Sequence, residues 1–141
     1  MVGLGIVADT ISEDLAYAVD RAAGWGLSHI ELYHLWHKAV TDLSDPEVAA
    51  AAALIGAGDL TVTDIASLVM RCAPTDAAER EQLAVFERAV EVARRLGTDR
   101  IRCYAYLKQP HLEAVWPRIV RTIERLIDLA DARGVTLLLE N

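Results

Sequence analysis

Short apolar runs alternate with long amphipathic segments along this sequence, and that alternation constrains the fold more than any other feature. Five runs are short and apolar enough to be buried strands, and they cover residues 4–8, 29–33, 60–68, 100–107 and 134–141. Between them lie segments whose apolar residues recur with helical spacing. Strands that are separated by single helices predict a parallel sheet with right-handed crossovers.

Local signals predict where some of the helices begin. Thr10, followed three residues later by Glu13, predicts a capping box for the first helix. Residues 44–47 (SDPE) supply a cap, a first-turn proline and an acid, so they predict the start of the second helix. Pro117 is expected in the first turn of the fourth helix, because proline lacks the N–H that an interior position uses.

Two architectures share this order of elements: an open doubly wound sheet and part of a (β/α)8 barrel. A doubly wound sheet usually has a glycine-rich turn after its first strand, whereas residues 9–12 here read DTIS. Gly3 and Gly5 lie before or within the strand and lack a third glycine, so the sequence does not predict a dinucleotide site.

The length, composition and cysteine content of the chain limit the kinds of binding partner and the cellular compartment that we expect. The 141 residues fit one domain with a sizeable core. The 21 acidic residues exceed the 14 lysines and arginines, and the net charge of −7 does not favour nucleic acid as a partner. Cys72 and Cys103 lie outside any CxxC or Cys/His pattern, which indicates a reduced intracellular protein. No apolar run reaches the roughly 18 residues that span a bilayer and no secretory leader is present, so we expect a cytoplasmic protein without a membrane partner.

Three segments carry a resemblance to a known family. They are residues 24–32 (GWGLSHIEL), 88–102 (RAVEVARRLGTDRIR) and 133–141 (RGVTLLLEN). In this order and spacing the chain resembles the xylose isomerase-like TIM-barrel superfamily, and within it the sugar phosphate isomerase/epimerase branch. The resemblance implies a parallel (β/α)8 barrel, present here as an incomplete barrel of about five strands and four helices. Because a complete barrel takes about 250 residues, we expect residues 1–141 to be the N-terminal portion of one domain, truncated after strand five.

The resemblance also implies an activity. It implies an isomerase or epimerase of a small sugar or polyol, in which a divalent metal assists proton transfer next to a carbonyl. Glu140, at the end of the fifth strand, matches a metal ligand of the family, with Mn²⁺, Mg²⁺ or Co²⁺ expected ahead of Zn²⁺. The other ligands are expected on strands six to eight, so the chain alone is expected to be inactive. Two alternatives stay open: an inosose-dehydratase-like or abasic-site-endonuclease-like member of the superfamily, and a non-catalytic half-barrel that forms a homo-oligomer.

The chemistry of a barrel of this kind lies at the C-terminal ends of its strands. The residues expected to bind the sugar are Glu31, His34, Trp36, Tyr106 and Asn141. Glu31 has a second interpretation, as a structural acid paired with a barrel arginine such as Arg102. Tyr104 offers the same hydroxyl as Tyr106, and Asp9 is expected to cap a helix. No spacing predicts a nucleophile, so the catalytic residues stay unassigned.

Overall fold

A computed structural model describes residues 3–140 of the chain, and the predicted substrate contact Asn141 lies outside them. The elements in chain order are β1 (Gly5–Val7), α1 (Leu15–Gly24), β2 (His29–Leu32), β3 (His34–Leu35), β4 (Lys38–Ala39), α2 (Asp45–Ala57), β5 (Thr61–Ala66), α3 (Asp76–Arg95), β6 (Arg100–Cys103), α4 (Leu112–Arg133) and β7 (Thr136–Leu139). Two short 3-10 helices, Ala8–Thr10 and Val40–Asp42, follow β1 and β4. None of the helices within 3–140 is both long and apolar enough to cross a membrane.

Five of the strands form one parallel sheet in the order β1, β2, β5, β6, β7. Each crossover leads to the adjacent strand, so the order never reverses as it does in a doubly wound sheet. This confirms the barrel-type prediction. Within residues 3–140, β1 and β7 each pair on one side, which leaves two open edges.

A small hairpin follows β2, where the sequence predicts a loop. β3 and β4 pair antiparallel, with His34 opposite Ala39 and Leu35 opposite Lys38. The two turn residues, Trp36 and His37, have φ angles of 53° and 63°. Left-handed backbone at both positions matches the twist of a two-residue hairpin. Since neither residue is glycine or asparagine, the usual sequence signal for such a turn is missing.

The predicted start of α1 was wrong. Asp14 caps this helix, and its Oδ1 accepts hydrogen bonds from the backbone N–H groups of Ala16 at 3.0 Å and Tyr17 at 3.3 Å. Thr10 instead donates its hydroxyl hydrogen to the carbonyl of Val7 at 2.6 Å. A 3-10 turn therefore separates β1 from α1, and the helix begins several residues later than the capping-box pattern predicts.

The predicted position of Pro117 was also wrong, whereas the predicted start of α2 is confirmed. α4 begins at Leu112, so Pro117 lies inside it and the carbonyl of Glu113 loses its helical donor. Glu113 is exposed, and water can satisfy that carbonyl. At α2, Glu47 accepts a hydrogen bond from the backbone N–H of Ser44 at 2.7 Å, as the SDPE pattern predicts.

The core lies between the sheet and the helices. Fully buried side chains come from α1, α3 and the three central strands: Leu15, Phe86, Ile30, Ile65 and Ile101. Each such side chain contributes about 1.5–3 kcal/mol by leaving water. Of the nine large apolar side chains that are exposed within residues 3–140, five lie along α4 and β7: Leu112, Trp116, Val120, Ile127 and Leu139. The central strands are thus well covered, while the β7 side of the sheet presents apolar surface.

Candidate active site at the barrel mouth

Arg102 of β6 lies at the centre of a charged cluster at the C-terminal ends of the strands. Its Nη2 is 2.9 Å from Oε1 of Glu31 on β2, and its Nη1 donates a hydrogen bond to Oε2 of Glu140, directly after β7. Parallel strands end at one edge of the sheet, so residues distant in sequence meet there. We call this cluster, Glu31, Arg102 and Glu140, the barrel mouth.

Glu31 is paired with Arg102, as the structural interpretation of this acid predicts. The pair is close but poorly aligned, since Glu31 Oε1 and Arg102 Nε have no hydrogen-bond partner within residues 3–140. Burial raises the pKa of Glu31 above its ordinary value, and the carboxylate of Asp64 raises it further. Arg102 acts in the opposite direction, whereas Glu140 and Asp9 add to the rise. Positive charge at the mouth therefore does not balance the carboxylates around Glu31.

Two tyrosines and a second arginine form one wall of the mouth. The guanidinium of Arg102 lies 5.7 Å from the ring centre of Tyr33, whose hydroxyl accepts a hydrogen bond from Arg71 at 3.1 Å. Arg71 also lies 5.6 Å from the ring centre of Tyr104. Burial, with a hydrogen bond to Glu140, raises the pKa of Tyr104 to about 12. Tyr104 therefore keeps its proton at neutral pH and can donate it in a hydrogen bond.

The side chains of Tyr104 and Tyr106 lie in different parts of the structure, although a regular strand would place them on the same face. β6 ends at Cys103, and Tyr106 has a left-handed backbone with φ of 70°. Its hydroxyl contacts Glu79 on α3 and lies 2.8 Å from the hydroxyl of Thr122 on α4. The structure thus places Tyr104 at the mouth and Tyr106 between two helices.

The hairpin brings His34 beside the mouth. The ring centres of Tyr33 and His34 are 4.0 Å apart, and Nδ1 of His34 is 3.6 Å from Oδ2 of Asp9. Asp9 therefore faces the hairpin, and the expectation that it caps a helix was wrong because Asp14 holds that position.

The hairpin is also tied to the segment before α1. The backbone N–H of Trp36 donates to the carbonyl of Glu13 at 2.8 Å, and Nδ1 of His37 contacts the Glu13 carboxylate. The Trp36 side chain packs against the core, whereas 90% of the His37 side chain is exposed. Sequence reasoning missed Arg71 and Tyr33 as mouth residues, and it named Arg102 only as a structural partner of Glu31. The position of Arg102 next to the end of β6 was the available signal.

The oxygen atoms at the barrel mouth are donors of the kind that bind a hard divalent cation. Carboxylate oxygens such as those of Glu31 and Glu140 are the ligands that Mg²⁺ and Mn²⁺ prefer, and Mg²⁺ takes about six of them in near-octahedral geometry. Within the described range 3–140, no group of three or more His, Cys, Asp or Glu side chains is arranged to hold a metal ion. The residues present therefore supply the right kind of ligand but only part of a set.

A parallel sheet wound in sequential order, with polar side chains gathered where its strands end, defines a protein of the β/α-barrel class. A family model described as xylose isomerase-like TIM barrel matches residues 19–141, and the chain belongs to that family. No curated protein matches the chain in sequence.

Several solved structures share the fold. A D-psicose 3-epimerase, determined in the presence of D-fructose, is 21% identical with a TM-score of 0.70, over 96% of this chain and 51% of its own. A D-allulose 3-epimerase from Methylomonas sp., in complex with D-allulose, is 20% identical with a TM-score of 0.68, over 96% and 49%. A xylose isomerase-like TIM barrel protein from Mycobacterium smegmatis, in complex with magnesium, is 16% identical with a TM-score of 0.66, over 88% and 45%. The chain thus spans about half the length of these proteins, which confirms an incomplete barrel.

Proposed function

We propose that the whole protein is a cytoplasmic, divalent-metal-dependent isomerase or epimerase of a small sugar or polyol. The observation that carries the proposal is the position of Glu140, directly after β7, with its carboxylate at the mouth beside Arg102 and Glu31. The ketose ligands of the two similar epimerases support the substrate class. The magnesium complex of a third similar protein supports the kind of cofactor.

Glu140 is the proposed metal ligand in this chain, for Mn²⁺, Mg²⁺ or Co²⁺ ahead of Zn²⁺. Its remaining partners are proposed to come from strands six to eight of the same barrel. A bound divalent ion supplies Lewis-acid polarisation of a carbonyl oxygen, which eases removal of a proton from the neighbouring carbon. Arg102 donates a hydrogen bond to Glu140 and neutralises its charge, so a cation held by Glu140 would compete with Arg102 for this carboxylate.

His34, Trp36, Glu31 and Asn141 are the proposed contacts of the sugar. Tyr104 takes the role expected of Tyr106, because it is the tyrosine at the mouth and its pKa of about 12 keeps it a hydrogen-bond donor. A sugar presents several hydroxyl groups, and the tyrosine hydroxyl, imidazole and carboxylate groups proposed here offer both donors and acceptors to them.

The full-length protein should interconvert ketoses in D₂O when Mn²⁺, Mg²⁺ or Co²⁺ is added. A panel that includes D-fructose and D-allulose tests this, with NMR to detect the epimer and deuterium on the carbon next to the carbonyl. Deuterium incorporation reports proton abstraction, whereas a dehydratase would yield a product that has lost water. A protein that is inactive on the whole panel with all three metals removes the proposal.

Glu140→Gln is the variant that tests the proposed ligand. It should weaken Mn²⁺ binding, measured by calorimetry, by more than the roughly 10–100-fold lost when residues that support a metal site are changed. Glu124→Gln, on the exposed surface of α4, makes the same chemical change away from the mouth and should leave binding unchanged. Equal Mn²⁺ affinity for the two variants would show that Glu140 is not a ligand.

A second candidate, a non-catalytic half-barrel that forms a homo-oligomer, is favoured by the open β7 edge. Leu139 is 56% exposed there and Ile127 of α4 is 47% exposed. A partner that covers these side chains would bury the open edge of β7. Light scattering on the 141-residue chain without metal should then give a stable oligomer, and a folded monomer or aggregates alone would exclude this candidate.

A further inference from the structure

A second cavity lies away from the mouth, between α3 and α4. It has a volume of about 260 Å³. α3 contributes one wall with Asp76, Glu79 and Leu83, and α4 contributes the other with arginines. Both walls belong to residues 3–140, so this groove, unlike the open sheet edges, does not need the rest of a barrel to be formed. We call it the α3/α4 groove.

The α4 wall carries more positive charge than the α3 wall neutralises. Arg118, Arg121 and Arg125 recur at the spacing that places residues on one helix face, and all three line the groove. Arg118 binds both carboxylates of the α3 wall, Asp76 and Glu79. Among the ion pairs within 3–140, none involves Arg121 or Arg125. Three arginines against two acids leave one surplus positive charge, in a chain whose net charge is −7.

The lining of the groove is mixed, with polar side chains and a smaller apolar part next to these arginines. Met70 and Leu126 are buried to 2% and 1% exposure, and Leu83 joins them in the lining. A ligand can therefore place an apolar part against Leu83 and the edges of Leu126 and Met70 while its charged group stays near the guanidinium groups. Guanidinium donates paired hydrogen bonds to carboxylate and phosphate oxygens, which gives geometric selectivity for an oxyanion.

The backbone beneath the groove is strained. Met70 and Tyr106 have φ angles of 62° and 70°, in the left-handed region that non-glycine side chains rarely adopt. The N–H of Tyr106 donates to the carbonyl of Met70 at 2.9 Å, and the N–H of Met70 donates to Oε1 of Gln82 at 2.8 Å. Strain of this kind persists where the surrounding structure enforces it, and it concentrates at ligand sites.

We propose that the α3/α4 groove binds a small organic anion, made of one carboxylate or phosphate group on an apolar body. Arg121 and Arg125 hold the oxyanion, and Leu83, Leu126 and Met70 contact the apolar part. The surplus positive charge favours an anion over a neutral molecule of the same size. This site is separate from the barrel mouth and does not rest on the function proposed for it.

Benzoate and phenyl phosphate are suitable probes, with benzyl alcohol as the neutral counterpart of the same size. Each is titrated into the full-length protein, with binding followed by calorimetry and by the NMR signals of the arginine side-chain N–H groups. Saturable binding of at least one anion, with shifts at Arg121 and Arg125 and without binding of benzyl alcohol, supports the proposal. The preferred anion then identifies the head group. Binding of the alcohol as tight as that of the anions overturns the proposal, as does the lack of saturable anion binding.

Arg121→Gln and Arg125→Gln test the two guanidinium groups. Each should weaken anion binding about tenfold, the loss expected for one charge-assisted hydrogen bond, and the double variant should weaken it further. Arg100→Gln is the matched control: this exposed arginine begins β6, outside the groove, and the variant should bind as wild type does. Equal weakening by Arg100→Gln would mean that net charge alone attracts the anion and would overturn the site. Urea unfolding verifies that each variant is folded. If a variant does not fold, the NMR shifts of the Arg121 and Arg125 side chains in the native protein test whether these residues bind the anion.

Discussion

Arg102 and Arg118 each lie between two carboxylates, yet the two clusters differ in their charge balance. At the mouth, burial and then the carboxylate of Asp64 raise the pKa of Glu31, and Arg102 does not offset them. In the α3/α4 groove, burial alone would raise the pKa of Glu79, but hydrogen bonds from Arg118 and Tyr106 together outweigh it, and the pKa lies below its ordinary value. The mouth is therefore short of positive charge, whereas the groove has a surplus.

This difference suits different ligands. A site with carboxylates in excess gains stability when a cation enters, because the cation replaces repulsion between acids with attraction. A site with arginines in excess gains from an oxyanion for the same electrostatic reason. We therefore propose a metal at the mouth, where carboxylates are in excess around Arg102. We propose an organic anion in the groove, where arginines are in excess around Arg118.

Arg102→Met should give the largest change in stability. It leaves Glu31 and Glu140 next to each other without the cation that joins them, and removing one partner of a buried pair costs about 3–5 kcal/mol. Because these side chains are 22–34% exposed, the lower end, about 3 kcal/mol, is expected in urea unfolding at pH 7. Arg102→Lys keeps the charge and should recover part of the loss. Wild-type stability in Arg102→Met would mean that the mouth does not depend on its cation.

Tyr106→Phe should cost about 1 kcal/mol, the usual contribution of a hydrogen bond that joins partly buried groups. The Tyr106 hydroxyl bridges Glu79 and Thr122, and the residue is 8% exposed. Tyr17→Phe is the matched control, because Tyr17 is 54% exposed on α1. Urea unfolding of the two variants measures this difference: if they are equally stable, the hydroxyl does not hold α3 and α4 together.

Glu31→Gln should change how stability depends on pH at the mouth. The folded-state pKa of Glu31 lies above 4.5, so its contribution to stability is present below that value and is lost as the pH rises through the folded pKa. The wild-type protein should therefore lose stability relative to Glu31→Gln as the pH rises from about 4.5 toward neutrality. Urea midpoints measured across this range test the prediction, with Glu124→Gln as the control. A variant that follows the wild-type curve would mean that Arg102 compensates the burial.

The sequence allowed the strand order, the barrel class and the place of Glu140 to be predicted. The triple leucine of residues 137–139 locates β7, and a residue that directly follows such a strand lies at the sheet edge. Tyr104 and Tyr106 could not be told apart, because the end of β6 and the left-handed backbone of Tyr106 depend on its hydrogen bond to Met70, distant in sequence. The charge balance of each cluster likewise depends on which acids meet which arginine, and helix spacing alone does not determine that.

Glu79→Gln should have a smaller effect, of opposite direction, in the groove. The pKa of Glu79 lies below 4.5 in the folded state, so this carboxylate stabilises the protein above that value, and the contribution is lost as the pH falls through the folded pKa. Glu79→Gln should therefore be less stable than wild type at neutral pH, and the two should converge on acidification. Glu81→Gln, at an exposed position of the same helix, should parallel wild type throughout. If Glu79→Gln and Glu31→Gln shift the pH curve in the same direction, both clusters respond to burial rather than to their different charge balance.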